Sequence, residues 1–328
     1  MKTLVTGATG FIGSHLIDLL LEKNYDVVAT VRKTSNLRWL KDKPVRTIDG
    51  GAFDSDSLKA ELRDADIIFH VAGVTFGSAE EDFMKGNRDA TSKLLETAAN
   101  HCRNLKKFVF VSSQTVAGPS ASLDRPVTED MAPNPLTAYA RSKKAAEDVV
   151  LQYRDKLPIT ILRAPAVYGP RDEAIFPIFK SVKMGLATLI GFNNKYLSLM
   201  HGIDLCRGIY SAAMSERTTG EIYFITSSKF YSWSEVMTEI KNAFGRKNVL
   251  MIRLPHSIVL AAAAATQFAG KFMKKPPVFN YEKGVDFIQD YWICSPEKAR
   301  RDFGFEQTMT LAEGVRDAVE WYKRNKWL

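Results

Sequence analysis

The chain has 328 residues, of which 45% are hydrophobic and 25% are charged, and its formal net charge is +8 at pH 7. This length exceeds what one compact core normally supports, so the sequence predicts a globular protein with two lobes. The basic residues are spread along the chain, and the three cysteines and five histidines are scattered, which argues against nucleic-acid binding, a disulfide framework and a metal site.

Short apolar runs alternate with amphipathic stretches through the first half of the chain. The predicted strands are residues 2–6, 26–31, 67–71, 107–112 and 159–163, and the predicted helices are residues 13–23, 87–101 and 138–153. Strands and helices that alternate in this way predict a parallel sheet covered by helices on both faces. We therefore expect an α/β, doubly wound Rossmann fold. The first residues form too short an apolar stretch for a signal peptide, and we expect a cytoplasmic protein.

The pattern loosens after about residue 170. One more strand is predicted at 222–226, and helices are predicted at 234–244 and 311–324. We interpret residues 1–170 as one domain built on this sheet and residues 171–328 as a smaller, mixed lobe. Segments near 202–226 are candidates to return to the first domain.

Residues 257–270 form an apolar, alanine-rich segment followed by Lys271, Lys274 and Lys275. The segment is shorter than the roughly 20 residues that span a bilayer. We expect a buried helix of the substrate lobe and no membrane contact. The alternative is a helix that lies on a membrane surface, with the lysines as its basic flank.

The first predicted strand runs directly into a glycine loop that opens a helix. The loop is Gly7-Ala8-Thr9-Gly10-Phe11-Ile12-Gly13. Glycines at this spacing allow a tight turn and a close approach of the backbone to a pyrophosphate, and the helix N-terminus supplies unpaired amides for it. The loop therefore predicts a dinucleotide site, which makes residues 1–170 the dinucleotide-binding domain and residues 171–328 the substrate-binding lobe.

The end of the second strand bears on which dinucleotide is bound. Domains selective for NAD usually carry Asp or Glu there to bind the ribose 2′-hydroxyl. This chain has Arg32, Lys33 and Ser35 instead, with Arg38 close by. A guanidinium can pair with a 2′-phosphate, which favours NADP over NAD; the alternative is a solvated basic loop.

Tyr139 and Lys143 are four residues apart on a predicted helix, so their side chains share one face. A neighbouring ammonium favours the phenolate and makes proton exchange with an alcohol or ketone oxygen feasible. Ser113 ends a buried strand upstream, where its hydroxyl can hold the substrate oxygen. Ser112 lies one residue deeper in the strand and points to the other face.

With these motifs the chain resembles the extended type of the short-chain dehydrogenase/reductase superfamily over almost its whole length. In addition to the glycine loop and the Tyr139–Lys143 pair, the resemblance depends on the segments 70–73, 83–87, 111–116 and 162–170. It implies that Tyr139 is the catalytic acid/base, that Lys143 lowers its pKa and holds the nicotinamide ribose, and that Ser113 holds the substrate oxygen.

The resemblance also implies that the cofactor is lined by further residues. They are Val71, Ala72 and Gly73, then Ser112, then Ala164, Pro165 and Ala166, with Asn87 either in the cofactor loop or purely structural. Relatives often place an Asp that contacts adenine where this chain has Gly51. Relatives also dimerise through the helices that begin near Asn87 and Ala138, which implies a homodimer unless those faces are buried within one chain.

Within the superfamily, the sequence favours a reductase. Sugar-nucleotide enzymes usually carry Asn where this chain has Ala166, and dehydratases carry an acidic pair where it has Gln114 and Thr115. The pattern resembles dihydroflavonol-reductase-like and 3β-hydroxysteroid-dehydrogenase-like members. The expected function is hydride transfer between NADP(H) and a ketone or secondary alcohol on an apolar or aromatic substrate.

Plausible pocket walls, by their apolar or hydroxyl side chains, are Thr75, Phe76, Thr115, Phe176, Phe179, Met200 and Phe230. Two alternatives stay open. One is a sugar-nucleotide epimerase that retains NAD, and the other is a non-catalytic dinucleotide-binding sensor.

Overall fold

The computed structural model of the chain describes residues 1–50, 53–77, 79–270 and 279–328. The predictions for Gly51 and for the basic flank of Lys271, Lys274 and Lys275 lie outside the described residues.

A parallel sheet of seven strands forms the centre of the larger lobe, which confirms the predicted doubly wound fold. Its strand order is β10-β6-β5-β4-β1-β2-β3. These strands are β1 (Lys2–Thr6), β2 (Asp26–Val31), β3 (Arg46–Asp49), β4 (Ile67–His70), β5 (Lys107–Ser113), β6 (Ile159–Ala164) and β10 (Ile222–Phe224). The order changes direction between β1 and β4, and parallel sheets of this kind bind ligands beyond the carboxyl ends of the strands at such a point.

Helices cover both faces of this sheet. On one face lie α1 (Phe11–Glu22) and α7 (Gly202–Met214), which bury Leu16, Leu20 and Ile209 in a shared core. On the other face lie α2 (Asp56–Leu62), α4 (Ala90–His101) and α5 (Ala138–Gln152), whose core includes Leu58, Leu94 and Val150. A short helix α3 (Glu80–Phe83) continues as a π-helix (Met84–Asp89) into α4. Helix α7 thus packs on the sheet of the first lobe, and β10 is one of its strands.

The second lobe is mixed. Strand β9 (Tyr196–His201) pairs with β7 (Ala166–Tyr168), β11 (Phe230–Ser232) and β13 (Tyr291–Trp292), while β8 (Leu186–Ile190) and β12 (Leu250–Leu254) form a separate two-stranded ribbon. Its helices are α6 (Phe176–Met184), α8 (Trp233–Ala243), α9 (His256–Gly270), α10 (Tyr281–Ile288), α11 (Glu297–Phe303) and α12 (Leu311–Arg324). Its core gathers apolar residues of α6, α8 and α12.

Helix α9 differs from expectation. The sequence predicts a buried helix, but only Val259 and Ala263 of its fifteen residues are buried. Its apolar residues surround the helix axis, whereas α10 covers only one side of it: a side chain at Gly284 would lie 2.9 Å from the Ala263 Cβ atom. Across the described part of the chain, every helix falls short of the length and hydrophobicity that a membrane-spanning segment needs.

Candidate active site

The glycine loop joins β1 to α1 in a conformation that side chains would obstruct. Gly7 has φ +69°, and a Cβ atom there would lie 2.6 Å from the backbone nitrogen of Ala72. A Cβ atom at Gly13 would lie 2.2 Å from the Gly7 carbonyl oxygen. Gly10 is the N-cap of α1 and has no side chain that could accept a hydrogen bond, so the backbone amides of the first turn, which begins with Phe11 and Ile12, have no side-chain cap. Thr9 directly precedes this N-cap. This cradle fits a dinucleotide diphosphate.

The segment after β4 meets the glycine loop at the point where the strand order reverses. The Ala72 amide donates to the Thr6 hydroxyl (3.1 Å), while Val71 packs against the core and Gly73 is exposed. Asn87 is buried and holds this segment in place: its Oδ1 accepts from the Val74 amide (2.7 Å), and its Nδ2 donates to the Val74 carbonyl (3.0 Å).

The Nδ2 atom of Asn87 also donates to the Ser142 hydroxyl on α5 (2.8 Å). Asn87 thus joins the segment after β4 to the helix that carries Tyr139. Every polar atom of the Asn87 amide is used inside the protein, which supports the structural interpretation of this residue.

The loop after β2 presents its cations to solvent. Arg32 and Lys33 are exposed, and the side chain of Arg32 forms no hydrogen bond or ion pair with the other residues that the structure describes. The Ser35 hydroxyl accepts from the Arg32 amide (2.9 Å), which closes the turn. Arg38 is already engaged, because it pairs with Glu173 and lies over the Trp39 ring at 4.4 Å. Arg32 and Lys33 are therefore the cations available to a ligand.

Tyr139 and Ser113 come together at the carboxyl end of β5. The Ser113 side chain approaches the Tyr139 hydroxyl closely enough to lower the pKa of the phenol, but burial has the larger effect and raises this pKa, and Asp286 raises it further. Thr115 donates to the Ser113 hydroxyl from both its amide (3.2 Å) and its own hydroxyl (2.9 Å). Ser113 can thus accept from Thr115 while it donates to a substrate oxygen.

Lys143 lies on the same side of α5 as Tyr139, but its ammonium is bound elsewhere in this structure. Its Nζ atom donates to the Val111 carbonyl (2.8 Å) and lies 4.1 Å from the centre of the Phe110 ring. Burial lowers the pKa of Lys143 to about 7, and Glu147 partly opposes this. In this structure the pKa of Tyr139 is set by burial, by Ser113 and by Asp286.

Ser112 faces away from the site, as its position in the strand predicts. Its hydroxyl donates to Glu147 (2.6 Å), and Glu147 forms a buried ion pair with Arg163 (2.7 Å). Only the backbone of Ser112 is left for a cofactor. On the neighbouring strand, Ala164 is in register with Ser113; it is followed by buried Pro165 and exposed Ala166. The segment 164–166 therefore borders the site.

A cleft opens beside Tyr139, and it contains some of the predicted wall residues but not others. Thr75 and Phe76 line it, together with Phe83, Thr137 and residues of α10. Phe176 and Met200 do not: Phe176 packs on Tyr322 (ring centres 4.9 Å apart), and Met200 is fully buried in the core between α1, α7 and the sheet. Phe179 also packs on Tyr322, and Phe230 forms part of β11. For Phe176, Phe179 and Met200, core packing explains the apolar character that suggested a pocket wall.

Asp286 is a cleft residue that sequence reasoning missed. It lies on α10, is buried, and faces Tyr139. One carboxylate oxygen is 3.6 Å from the Lys283 ammonium, and the other has no hydrogen-bond partner among the described residues. Burial raises the pKa of Asp286 to about 6, against a lowering by Lys283. An unpaired buried oxygen of this kind is suited to accept a hydrogen bond from a substrate hydroxyl or amide.

Comparison with known proteins gives a family match over most of the chain. The model of the family described as "NAD dependent epimerase/dehydratase family" matches residues 3–231. Among curated relatives, a ceramide reductase of Caulobacter vibrioides is 26% identical over 324 residues, covering 99% of this chain and 95% of the relative. A human dTDP-D-glucose 4,6-dehydratase is 28% identical, covering 99% and 90%.

Among solved structures, a UDP-glucuronic acid 4-epimerase from Bacillus cereus is similar in sequence and in fold. It is 26% identical, has a TM-score of 0.78, and the match covers 99% of this chain and 100% of the epimerase. That structure holds UDP-glucuronic acid and NAD. The relatives thus include a reductase, a dehydratase and an epimerase.

Proposed function

Because the chain belongs to the NAD-dependent epimerase/dehydratase family, we propose that it oxidises or reduces a secondary alcohol or ketone carbon with Tyr139 as the proton donor and acceptor. The observation that carries this proposal is the position of the Tyr139 hydroxyl. It faces Ser113 and a cleft at the same edge of the sheet as the glycine loop.

The dinucleotide would be held by Gly7, Gly10 and Gly13 at the diphosphate, by the segments 71–73 and 164–166 along its length, and by Lys143 at its ribose. When bound, its nicotinamide supplies or accepts the hydride. The exposed Arg32, whose side chain has no partner among the described residues, supports a preference for NADP, whereas the similar solved epimerase holds NAD. We propose NADP for this chain on the strength of Arg32 and the absence of an acidic residue at the end of β2.

Tyr139, Ser113 and Thr115 have separate roles in transferring the proton and holding the substrate oxygen. In reduction, Tyr139 donates its proton to the oxygen that develops negative charge, and in oxidation it takes that proton back. Ser113 holds the same oxygen through its hydroxyl, which Thr115 orients. The buried position of Tyr139 raises its pKa, so the neutral phenol, which is the form that donates the proton in reduction, prevails in this structure.

Two substrate classes remain, and the comparisons give the sugar nucleotides broader support than the apolar ketones that the sequence favours. The epimerase and the dehydratase both act on nucleotide sugars by name, and Asp286 could accept a hydrogen bond from a sugar hydroxyl. The apolar class has support from the ceramide reductase, from Phe76 and Phe83 in the cleft, and from Ala166. The reaction proposed at Tyr139 is common to both.

The test compares the wild-type protein with Tyr139→Phe and with Tyr153→Phe, a phenol near the end of the same helix. Purified protein is titrated with NADPH and NADH. A long-chain ketone is then supplied with the reduced cofactor, whose loss is followed by absorbance, and UDP-glucuronic acid and dTDP-glucose are supplied with the oxidised cofactor, with their products separated by chromatography. We expect Tyr139→Phe to lower kcat at least about 1000-fold and to leave cofactor affinity within about twofold, while Tyr153→Phe stays near wild type. Activity of Tyr139→Phe within tenfold of wild type would overturn the proposal.

A further inference from the structure

The charges of this chain are unevenly distributed between two segments and the rest. Residues 174–203 and 240–281 contain ten Lys and Arg residues and no Asp or Glu. The remaining residues hold 35 of the 45 basic residues and all 37 acidic ones, so they are close to neutral. The net positive charge of the protein therefore resides in these two segments, which include the ribbon of β8 and β12 and the helix α9.

The same two segments carry most of the exposed apolar side chains. Nine of the sixteen large hydrophobic residues that are exposed in the described chain belong to them. Leu250 and Leu186 lie opposite each other in the ribbon and are 64% and 37% exposed. Met184, which ends α6, is 69% exposed, and Phe192 beyond β8 is 72% exposed. Patches of this kind on a soluble protein usually mark a contact with a partner or a membrane.

Cations lie next to these apolar residues at both ends of the ribbon. At one end, the Leu250 amide donates to the Gly185 carbonyl (2.8 Å), and the Arg246 guanidinium lies against Gly185. At the other end, Arg253 donates to the Phe192 carbonyl (3.2 Å). Lys183 and Lys247 are also exposed. We call the exposed residues of 183–192 and 246–253 the ribbon surface.

We propose that the ribbon surface, with the adjoining exposed side of α9, binds the headgroup region of a lipid bilayer that contains anionic lipids. Its apolar side chains would enter the interface while Lys and Arg contact phosphate groups, which is how peripheral proteins combine burial with charge attraction. A second copy of the chain fits less well, because a two-fold contact would place cations against cations. The proposal reverses the expectation of no membrane contact, and it does not depend on the identity of the substrate.

The position of α9 relates this surface to the active site. One side of α9 packs on α10, and Lys283 and Asp286 of α10 line the cleft beside Tyr139. The exposed side of α9 begins at Ile258, directly after the ribbon. A bilayer on this face would thus lie behind the wall of the substrate cleft.

The experiment is co-sedimentation of the full-length protein with vesicles of phosphatidylcholine alone or with one-third phosphatidylglycerol. We expect at least about tenfold tighter binding to the anionic vesicles, weakened by added salt. Met184→Ser with Leu250→Ser tests the apolar contribution, and Lys183→Glu with Lys247→Glu tests the charge. The control combines Met131→Ser with Lys156→Glu, an exposed apolar residue and an exposed cation outside the two segments.

Both test variants should lose about tenfold in anionic-vesicle affinity, with melting temperatures near that of wild type, and the control should bind normally. No binding to anionic vesicles at low salt, equal binding to both vesicle types, or unchanged binding by the charge variant would overturn the proposal. So would a wild-type dimer in light scattering that the test variants convert to monomer. Because the assay needs no turnover, it fails or succeeds independently of the proposed function.

Discussion

The Nζ atom of Lys143 donates a 2.8 Å hydrogen bond to the Val111 carbonyl at the end of β5. This contact ties α5, which carries Tyr139, to the strand that carries Ser113, two residues further on. The ammonium is buried, and burial lowers its pKa to about 7, so near neutral pH it can exist in either protonation state. Lys143 is therefore positioned by the fold before any ligand arrives.

Replacing Lys143 by Met tests its proposed role in catalysis and the effect of its burial on stability. The activity should fall at least about 100-fold, because the group proposed to hold the ribose and support Tyr139 is removed. Since the folded pKa is about 7 and that of a free lysine is near 10.5, the unfolded chain binds more protons between these values. Wild-type stability should therefore rise with pH across that interval through this group.

The measurement is urea unfolding of wild type and Lys143→Met at pH 7 and at pH 9.5. The free energy of unfolding of the variant minus that of wild type should be larger at pH 7 than at pH 9.5 by at least about 1 kcal/mol, so the variant is relatively more stable at pH 7. Lys144→Met is the control, because Lys144 is partly exposed and pairs with Asp148. An identical difference at both pH values would contradict the buried state of Lys143.

Asp286→Asn should change the pH dependence of catalysis. Burial raises the pKa of Asp286 to about 6, so above that pH the carboxylate is charged and raises the pKa of Tyr139. Without this charge the Tyr139 pKa falls, and the rise of alcohol oxidation with pH should move to lower pH by about half to one unit.

The profile of kcat/KM against pH checks this expectation, with Asp155→Asn as an exposed control. A rise in KM of Asp286→Asn would further indicate that the unpaired carboxylate oxygen accepts a hydrogen bond from the substrate. An unshifted profile would show that Asp286 does not act on Tyr139.

Arg32→Ser should reduce the affinity for NADPH and spare that for NADH. A charge-assisted contact with the 2′-phosphate is worth about 1.5–3 kcal/mol, so the Kd for NADPH should rise roughly 10- to 100-fold. Arg38→Ser is the matched control, because its guanidinium is already paired with Glu173. Fluorescence titration with both dinucleotides measures the selectivity. Equal losses for NADPH and NADH, or none, would remove the case for NADP.

Gly13→Ala should lower stability and dinucleotide binding more than Gly10→Ala does. The added methyl group at Gly13 would lie 2.2 Å from the Gly7 carbonyl oxygen, whereas at Gly10 the nearest atom is 3.3 Å away. The backbone cannot move aside cheaply, so Gly13→Ala should lose about 1–3 kcal/mol of stability and most of its dinucleotide binding. Thermal unfolding with and without cofactor measures both effects. If Gly10→Ala proves the more destabilising variant, the loop geometry described above is wrong.

The sequence predicts the dinucleotide-binding half well because its strands are buried on both sides. Runs such as that of β5 are continuous and apolar, and the predicted and observed bounds of β1 and β2 coincide. The tight contacts of Gly7 and Gly13 also follow from their spacing alone. Local sequence patterns are sufficient here because strands of a parallel sheet that are covered on both faces appear as continuous apolar runs.

The second lobe is harder to predict, since its strands are short and its contacts are distant in sequence. Met200 and Phe176 are apolar like any pocket wall, and only the packing of α1, α7 and α12 shows that they belong to cores. Asp286 of α10 faces Tyr139, and no sequence motif around Asp286 predicts this approach. The exposure of α9 was also hidden, because composition indicates that a helix is apolar but not whether another element covers it.

Ser112 and Ser113 have identical side chains, but one donates to the carboxylate of a buried ion pair and the other approaches the Tyr139 hydroxyl. Which hydroxyl does which job is decided only by the alternation of the strand. A one-residue insertion upstream in β5 would put Val111 in the place of Ser112, so the partner of Glu147 would be lost. A one-residue deletion there would put Gln114 in the place of Ser113, so the hydroxyl beside Tyr139 would be lost. The length of this strand is therefore as strictly constrained as the identity of Tyr139 itself.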